Sequence, residues 1–245
     1  MPFSRRHALQ AFGLAAGAAA TSTSIGKALS KEAQLLRQEL EFCTPSGDNW
    51  KTLLDRNRVF SKAWQRSIQA SNPQERMQIK QAIFDISCHI DPQALAQGQR
   101  PWAALLSCAD ARVAPEWMFG VGSGELFQVR VAGNSAFNDG IASLEFAVAA
   151  LEVPLIVVIG HSSCGAVAAA MGSAPLTPLL EDLVKPIRAS LQPNDDLTQA
   201  IKGNARYAAG QLVKLSPSLA EAQASGKVRI QPAFFDIQTG VVSEV

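Results

Sequence analysis

The chain has 245 residues, of which 47% are apolar and 18% are charged, so it carries enough apolar material for a sizeable buried core. Its formal net charge is +1, and no basic stripe or acidic block stands out along the sequence. This composition gives no indication of a nucleic-acid partner or of a surface that binds polyanions.

The N-terminus has the pattern of an export signal. Arg5 and Arg6 precede a short apolar run from Ala11 to Ala20, as in signals of the twin-arginine type. A membrane-spanning helix needs about 20 apolar residues, so we expect no membrane span once the signal is removed. The alternative is an amphipathic helix that happens to begin with two arginines.

We expect residues 1–28 to be the export signal, which would take the protein to the periplasm or the thylakoid lumen. Cleavage near Ala18-Ala19-Ala20 is favoured, and Gly26-Lys27-Ala28 is a weaker alternative. The twin-arginine route exports folded proteins, which would suit a protein that acquires a metal before it leaves the cytoplasm.

Residues 29–93 are predicted to form an N-terminal helical region. From Trp50 to about Ile90 apolar residues recur at three- and four-residue spacing, as in an amphipathic helix, and Asn72-Pro73 interrupts the pattern. Such a region could reach across a subunit interface or pack on its own subunit. Residues 94–245 are predicted to form the core, with 50–245 as one domain.

Beyond residue 100, short apolar runs alternate with helical segments. Five runs are strand candidates: 103–107, 126–131, 154–160, 228–235 and 241–243. Helical patterns lie at 139–151 and from about 175 to 224. Strand, helix and strand in this order favour a parallel sheet, and the tight turn at 238–240 favours an antiparallel edge. The predicted fold class is α/β: a mainly parallel four-stranded sheet with an antiparallel edge strand, flanked by helices, plus an N-terminal helical arm.

The four cysteines divide into two pairs. Cys108 and Cys164 lie in motifs that follow predicted strands, whereas Cys43 and Cys88 lie outside them. If the protein is exported, a disulfide between Cys43 and Cys88 is permitted. Two unpaired buried thiols are equally compatible with the sequence.

Two short motifs point to a metal site. Cys108-Ala109-Asp110-Ala111-Arg112 follows the first predicted strand, and His161-Ser162-Ser163-Cys164 follows the third. Because ligands gather at the carboxyl ends of parallel strands, Cys108, His161 and Cys164 are expected to lie together. Two thiolates and one imidazole are usual zinc ligands, and three protein ligands leave one position open for catalysis.

Each motif alone is more often structural than functional, and the pair Asp110–Arg112 could simply fix a loop. Their conjunction at two strand ends predicts one zinc ion per chain, held by Cys108, His161 and Cys164. Asp110 could also occupy the fourth position and close the site.

Together these motifs resemble the β-carbonic anhydrase family. The resemblance covers roughly residues 53–60 and 94–245, while 61–93 correspond to an insertion or an altered helical segment. The matching stretches are Gly98-Gln99-Arg100-Pro101, Cys108-Ala109-Asp110-Ala111-Arg112-Val113, Gly124-Glu125-Leu126-Phe127, Arg130-Val131-Ala132-Gly133-Asn134, Ser143-Leu144-Glu145-Phe146-Ala147, 157–167 and 235–242.

This resemblance implies reversible hydration of carbon dioxide to bicarbonate and a proton, with zinc activating a water. Asp110 would accept a hydrogen bond from that water, and Arg112 would hold Asp110 ionised and in place. Gln99 matches the position whose amide donates to a substrate oxygen, and Phe127 matches an apolar wall of the substrate pocket. The resemblance also implies a homodimer or a higher homo-oligomer.

Three positions depart from patterns in the family. Leu105 stands where one subgroup carries a tryptophan that belongs to a bicarbonate switch, and Ser107 replaces a common glycine. An open site without that switch is therefore predicted. Phe146 stands where plant-like members carry a tyrosine, and His89 has no evident placement as a proton shuttle.

Two other functions are compatible with the same motifs. One is hydrolysis of carbonyl sulfide or carbon disulfide on the same scaffold, and the other is a zinc-stabilised scaffold without catalysis. Asp110, Arg112 and Gln99 argue against the scaffold, because a structural site needs none of them. A redox pair is disfavoured, since Cys108 and Cys164 do not form a Cys-x-x-Cys motif.

Overall fold

The computed structural model describes residues 44–84, 88, 90 and 92–245. The predicted export signal, the start of the predicted N-terminal helical region, Cys43 and His89 lie outside the described residues. The described residues all belong to a single compact unit. Within these ranges, no helix combines the length and the apolar character that crossing a bilayer requires.

The helices and strands follow one another in an α/β order. Among the described residues, three helices precede the sheet: α1 (Asn49–Gln69), α2 (Pro73–Phe84) and α3 (Pro92–Gln97). The first half of the core then contains β1 (Ala103–Ser107), α4 (Pro115–Phe119), β2 (Leu126–Arg130), a short 3-10 turn (Ala132–Asn134), α5 (Asn138–Ala149) and β3 (Leu155–His161). The second half contains α6 (Gly165–Met171), α7 (Pro178–Arg188), α8 (Leu197–Leu215), α9 (Pro217–Ala224), β4 (Arg229–Asp236) and β5 (Val241–Glu244).

The sheet has the order β2-β1-β3-β4-β5. β1 pairs in parallel with β2 and β3, and β3 pairs in parallel with β4. β5 returns antiparallel to β4 after a turn in which Gly240 adopts φ 74°. The predicted fold class, with four parallel strands and an antiparallel edge strand, is confirmed. The order also makes β1 and β3 neighbours, so their carboxyl ends meet.

Apolar layers cover both faces of the sheet, and β3 belongs to both. Leu155, Val157 and Ile159 lie in one buried cluster, while Ile156 and Val158 lie in the other. A strand covered on both faces is apolar throughout, which explains the uninterrupted run of the sequence. The layer on the first face includes α1 and the layer on the second includes α5, α8 and α9.

Helix α1 packs on its own subunit, one of the two roles that the sequence left open. Asp48 caps the helix by accepting hydrogen bonds from the backbone of Trp50 and Lys51 at 2.8 and 3.1 Å. Buried Asn57 donates to the carbonyl oxygens of Met118 and Gly240 and accepts from the backbone N–H of Val242. These contacts tie α1 to the C-terminal hairpin and fix one side of the core.

The structure is finer than the sequence prediction in several places. The single helical stretch expected over 175–224 is three helices, and capping explains each start: Thr177 precedes Pro178, Asp196 forms a capping box with Gln199, and Ser216 precedes Pro217. Helices α3, α4 and α6 were not predicted, because five to seven residues are too few for a periodic pattern.

Cys88 is disulfide-bonded, whereas Cys108 and Cys164 are free thiols. For Cys88, the disulfide is therefore the correct alternative of the two that the sequence allowed. Cys88 is thus oxidised, whereas the two cysteines of the predicted metal site are reduced.

Candidate metal centre

The carboxyl ends of β1 and β3 bring the three predicted ligands together. Cys108 follows the last residue of β1, His161 is the last residue of β3, and Cys164 immediately precedes α6. In the ladder between these strands Ser107 pairs with Ile159, so the two strands end at nearly the same level of the sheet. The ligand atoms of Cys108, His161 and Cys164 lie within 4.8 Å of one another.

The ligands are shielded from solvent. Cys108 is 4% exposed, Cys164 1% and His161 0%. The imidazole Nδ1 lies 3.0 Å from the carbonyl oxygen of Ser162, a contact that requires the proton on Nδ1 and leaves the Nε2 lone pair available. That Nε2 atom is buried and has no hydrogen-bond partner among the described residues. A buried polar atom without a partner is costly, and a metal ion would satisfy it.

The two thiols form a coupled pair. A hydrogen bond from Cys164 lowers the pKa of Cys108 to about 4, and hydrogen bonds from the backbone of Gly133 and Asp110 act in the same direction, while burial opposes them. The same hydrogen bond with Cys108, aided by burial, raises the pKa of Cys164 above its ordinary range. The pair therefore shares one proton, which a metal ion held by both sulfur atoms would displace.

Gly133 lies directly behind Cys108. Its backbone N–H donates to Sγ of Cys108 at 3.3 Å, and its φ of 76° is in the left-handed region. A Cβ at this position would approach Cδ1 of Ile187 to 2.5 Å. Only glycine fits without displacement of α7. The motif that contains Gly133 predicts no role for it, because the crowding comes from a helix more than fifty residues away.

Asp110 and Arg112 form a fixed pair at the edge of the site. The guanidinium donates from Nε and Nη2 to the two carboxylate oxygens at 2.9 and 2.7 Å, and the backbone N–H of Arg112 adds a third hydrogen bond at 2.9 Å. Hydrogen bonds from Arg112 hold the pKa of Asp110 well below its usual range, although partial burial opposes them. The carboxylate therefore stays ionised at neutral pH.

Arg112 also connects the two motifs. Its Nη2 donates to the carbonyl oxygen of Ser163 at 3.1 Å, and Ser163 adopts φ 56°, a left-handed conformation that is rare for serine. This unusual backbone turns the carbonyl between His161 and Cys164 toward the loop after β1. The sequence does not predict a left-handed backbone at Ser163, because glycine or asparagine, rather than serine, usually occupies such positions.

Gln99 and Phe127 do not join the three ligands within one chain. Gln99 is exposed in the segment before β1, whereas Cys108 follows the other end of that strand. Phe127 pairs with Ala104 near the start of β1, and its ring contacts Phe146 with 6.4 Å between centroids. A five-residue strand spans about 17 Å, so neither side chain lies beside the ligands of its own chain. The substrate-binding roles of Gln99 and Phe127 stay predictions.

The fold and the site define a class of protein: an α/β domain that presents two cysteines and one histidine, in catalytic rather than closed number, at the carboxyl edge of a parallel sheet. The sequence model of the family described as "Carbonic anhydrase" matches residues 103–242, more than half of the chain. The chain belongs to the β-carbonic anhydrase family.

Individual relatives agree with this assignment. Carbonic anhydrase 2 of Mycobacterium tuberculosis is 52% identical over 79 residues, which are 32% of this chain and 38% of that protein. This chain therefore matches well under half of that relative's length. A carbonic anhydrase of Pseudomonas aeruginosa is 32% identical over 164 residues, covering 60% of this chain and 74% of that protein.

Solved structures share the fold. A tetrameric β-carbonic anhydrase from Sordaria macrospora superposes with a TM-score of 0.57 and 25% identity, over 62% of this chain and 84% of that one. The similarity supports the fold and the family, and the contacts of the ligand atoms described above are this chain's own.

Proposed function

We propose that the protein is a zinc-dependent carbonic anhydrase that interconverts carbon dioxide and water with bicarbonate and a proton. The observation that carries the proposal is the buried set Cys108, His161 and Cys164 beside an ionised Asp110. A purely structural site would need neither the aspartate nor the arginine that holds it.

The donor set fits zinc. Soft thiolates and one imidazole are ligands that zinc accepts in tetrahedral geometry. The Nε2 atom of His161, which has no hydrogen-bond partner in the described part of the chain, is oriented by the Ser162 carbonyl on the other ring nitrogen. When bound, zinc would supply a Lewis acid that lowers the pKa of a water molecule, so that the water can attack carbon dioxide.

Asp110 is proposed to orient the attacking water. Its Oδ2 lies 3.9 Å from Nε2 of His161, near enough to accept a hydrogen bond from a water held at the ligands. Arg112 engages both carboxylate oxygens, which keeps them from becoming ligands themselves. This supports the open arrangement that the sequence predicts, in which three protein atoms bind the metal and one position serves the substrate.

A homo-oligomer is proposed as the active form. In a single chain Gln99 lies at the opposite end of β1 from Cys108, so its amide can reach a substrate only at the site of another copy. Phe127 lies on the edge strand of the sheet, where a second copy could complete an apolar wall. A related protein from Sordaria macrospora is described as tetrameric.

Export is proposed on two grounds. Arg5 and Arg6 precede a short apolar run in the manner of a twin-arginine signal, and Cys88 is disulfide-bonded, a state that persists mainly in oxidising compartments. A periplasmic or lumenal location is compatible with both observations. Fractionation of cells expressing the full chain, with and without Arg5→Lys and Arg6→Lys together, would test it: retention of only the variant in the cytoplasm is expected, and identical distributions would refute it.

The function is tested by stopped-flow hydration of carbon dioxide at about pH 8.5, with zinc measured on the same sample. Rapid hydration with about one zinc per chain is expected, and Cys108→Ser should remove both. Stoichiometric zinc without hydration would refute the proposal, and hydrolysis of carbonyl sulfide or carbon disulfide would then be measured.

A further inference from the structure

The loop between β1 and α4 carries both Cys108 and Asp110, yet it has little regular structure of its own. Its backbone hydrogen bonds include Ala109 N–H to the Val131 carbonyl at 3.3 Å and Val113 N–H to the Asp110 carbonyl at 3.0 Å. A catalytic carboxylate on such a loop must be held by something else, because a misplacement of about 1 Å can cost about 10²-fold in rate.

Arg130 makes contacts that hold this loop. It is the last residue of β2 and pairs with Ser107, the last residue of β1. The side chain of Arg130 therefore lies beside the point where β1 ends and the loop begins. Nε donates to the carbonyl oxygen of Cys108 at 3.2 Å, and Nη2 donates to the carbonyl oxygens of Asp110 at 2.9 Å and Val113 at 2.7 Å.

These three carbonyls belong to the beginning, the middle and the end of the loop. One rigid planar group thus fixes the backbone on both sides of the Asp110 side chain. The fork geometry matters, since the donors of a guanidinium lie in one plane at set angles. A lysine has a single nitrogen at the end of a flexible chain and cannot reach all three carbonyls in this arrangement.

The two arginines near Asp110 have separate tasks. Arg112 binds the carboxylate itself and links it to Ser163, so it sets the direction of the side chain. Arg130 donates its hydrogen bonds to backbone oxygens of the loop, so it sets where the loop, and with it the Asp110 backbone, lies relative to the ligands.

We infer that Arg130 is a positioning residue for the reaction, which acts by fixing the Cys108–Val113 backbone and thereby the distance from the Asp110 carboxylate to the metal ligands. The inference rests on the proposed function. Arg130 would thus affect turnover through its hydrogen bonds to backbone carbonyls.

The test uses the full mature protein with Arg130→Lys, which keeps the charge, and Arg130→Ala, which removes the group. The matched control is Arg229→Ala, because Arg229 also makes polar contacts but lies at the opposite end of the sheet. With rates normalised to bound zinc, kcat is expected to fall about 10²-fold in both Arg130 variants with KM little changed. Added guanidinium should restore part of the activity of Arg130→Ala, and Arg229→Ala should keep wild-type kcat.

A second readout does not depend on activity. Amide hydrogen exchange of residues 109–113 in the metal-free protein is expected to be at least about tenfold faster in Arg130→Lys than in wild type or Arg229→Ala. Unchanged exchange, or a kcat per zinc within twofold of wild type, would overturn the inference. If wild type itself fails to hydrate carbon dioxide, the proposed function falls, while the exchange result still decides whether Arg130 holds the loop.

Discussion

The Oδ2 atom of Asp110 lies 3.9 Å from Nε2 of His161, so the carboxylate and this ring nitrogen face the same small volume. Arg112 keeps the carboxylate ionised, and the Ser162 carbonyl fixes the other ring nitrogen. A ligand atom and a hydrogen-bond acceptor are thus prepared side by side on two different loops.

Replacing Asp110 by asparagine should lower kcat by about 10² to 10³-fold while zinc content stays near that of wild type. The asparagine side chain has the same shape, but its NH₂ group replaces one carboxylate oxygen. This NH₂ is a hydrogen-bond donor and would face either the donors of Arg112 or the attacking water, where an acceptor is needed. Stopped-flow hydration and metal analysis on the same sample measure both effects. Asp182→Asn, an exposed position on α7, is the control. Wild-type turnover in Asp110→Asn would remove the proposed role of the carboxylate.

The hydration rate should rise toward alkaline pH. Two thiolates and a neutral imidazole cancel the charge of a divalent zinc ion, so the attacking water should ionise less readily than in three-histidine sites, where its pKa is about 7. A pH profile of kcat from 6 to 9 measures this directly. A flat profile across that range would contradict the charge argument.

Zinc binding at pH 7 should release about one proton from the thiols rather than two. Since the pKa of Cys108 is lowered to about 4 and that of Cys164 is raised, the metal-free pair carries one proton at neutral pH. Zinc requires both thiolates, so that proton must leave. Calorimetric titrations in two buffers of different ionisation enthalpy give the number. Magnesium, which avoids thiolate ligands, should release none, and a value near two for zinc would refute the coupled pair.

Much of this fold could be predicted from the sequence, because its strongest signals are local. The apolar run of β3 and the two motifs at strand ends indicated which edge of the sheet carries the site. The contacts of Arg130 and the crowding at Gly133 could not be predicted in the same way. They depend on which element lies opposite, and that is set by sheet order and helix packing rather than by neighbouring residues. The predicted strand 103–107 already places Gln99 and Cys108 at opposite ends, whereas contact between Gln99 and the site of another copy would depend on subunit packing, which local patterns do not encode.

Glu125 should be important for stability rather than for chemistry. Its side chain is completely buried and accepts hydrogen bonds from Arg56 at 2.7 Å, Trp102 Nε1 at 3.2 Å and the Gly122 backbone at 2.7 Å. Glu125→Gln removes the negative charge that pairs with Arg56, and it places the glutamine NH₂ group against N–H groups that now donate to the carboxylate. We expect the free energy of unfolding to fall by about 3 kcal/mol, measured by denaturant titration. The exposed Glu221→Gln should change it by less than about 0.5 kcal/mol, and equal effects would contradict the importance of the buried network.

Gly133 and Gly226 offer a matched pair for the last prediction. Both have left-handed φ values, 76° and 72°, but a Cβ on Gly133 would lie 2.5 Å from Ile187 Cδ1, whereas one on Gly226 would meet nothing within 4 Å. Alanine at either position pays the backbone cost of about 1 kcal/mol, and at Gly133 crowding adds about 2 kcal/mol more. Because the Gly133 N–H also donates to Cys108, Gly133→Ala should weaken zinc affinity by at least about tenfold, while Gly226→Ala should leave it unchanged. Denaturant unfolding and competition with a zinc chelator measure the two quantities. If both variants lose the same stability and bind zinc equally, the close approach of α7 does not constrain the backbone behind Cys108.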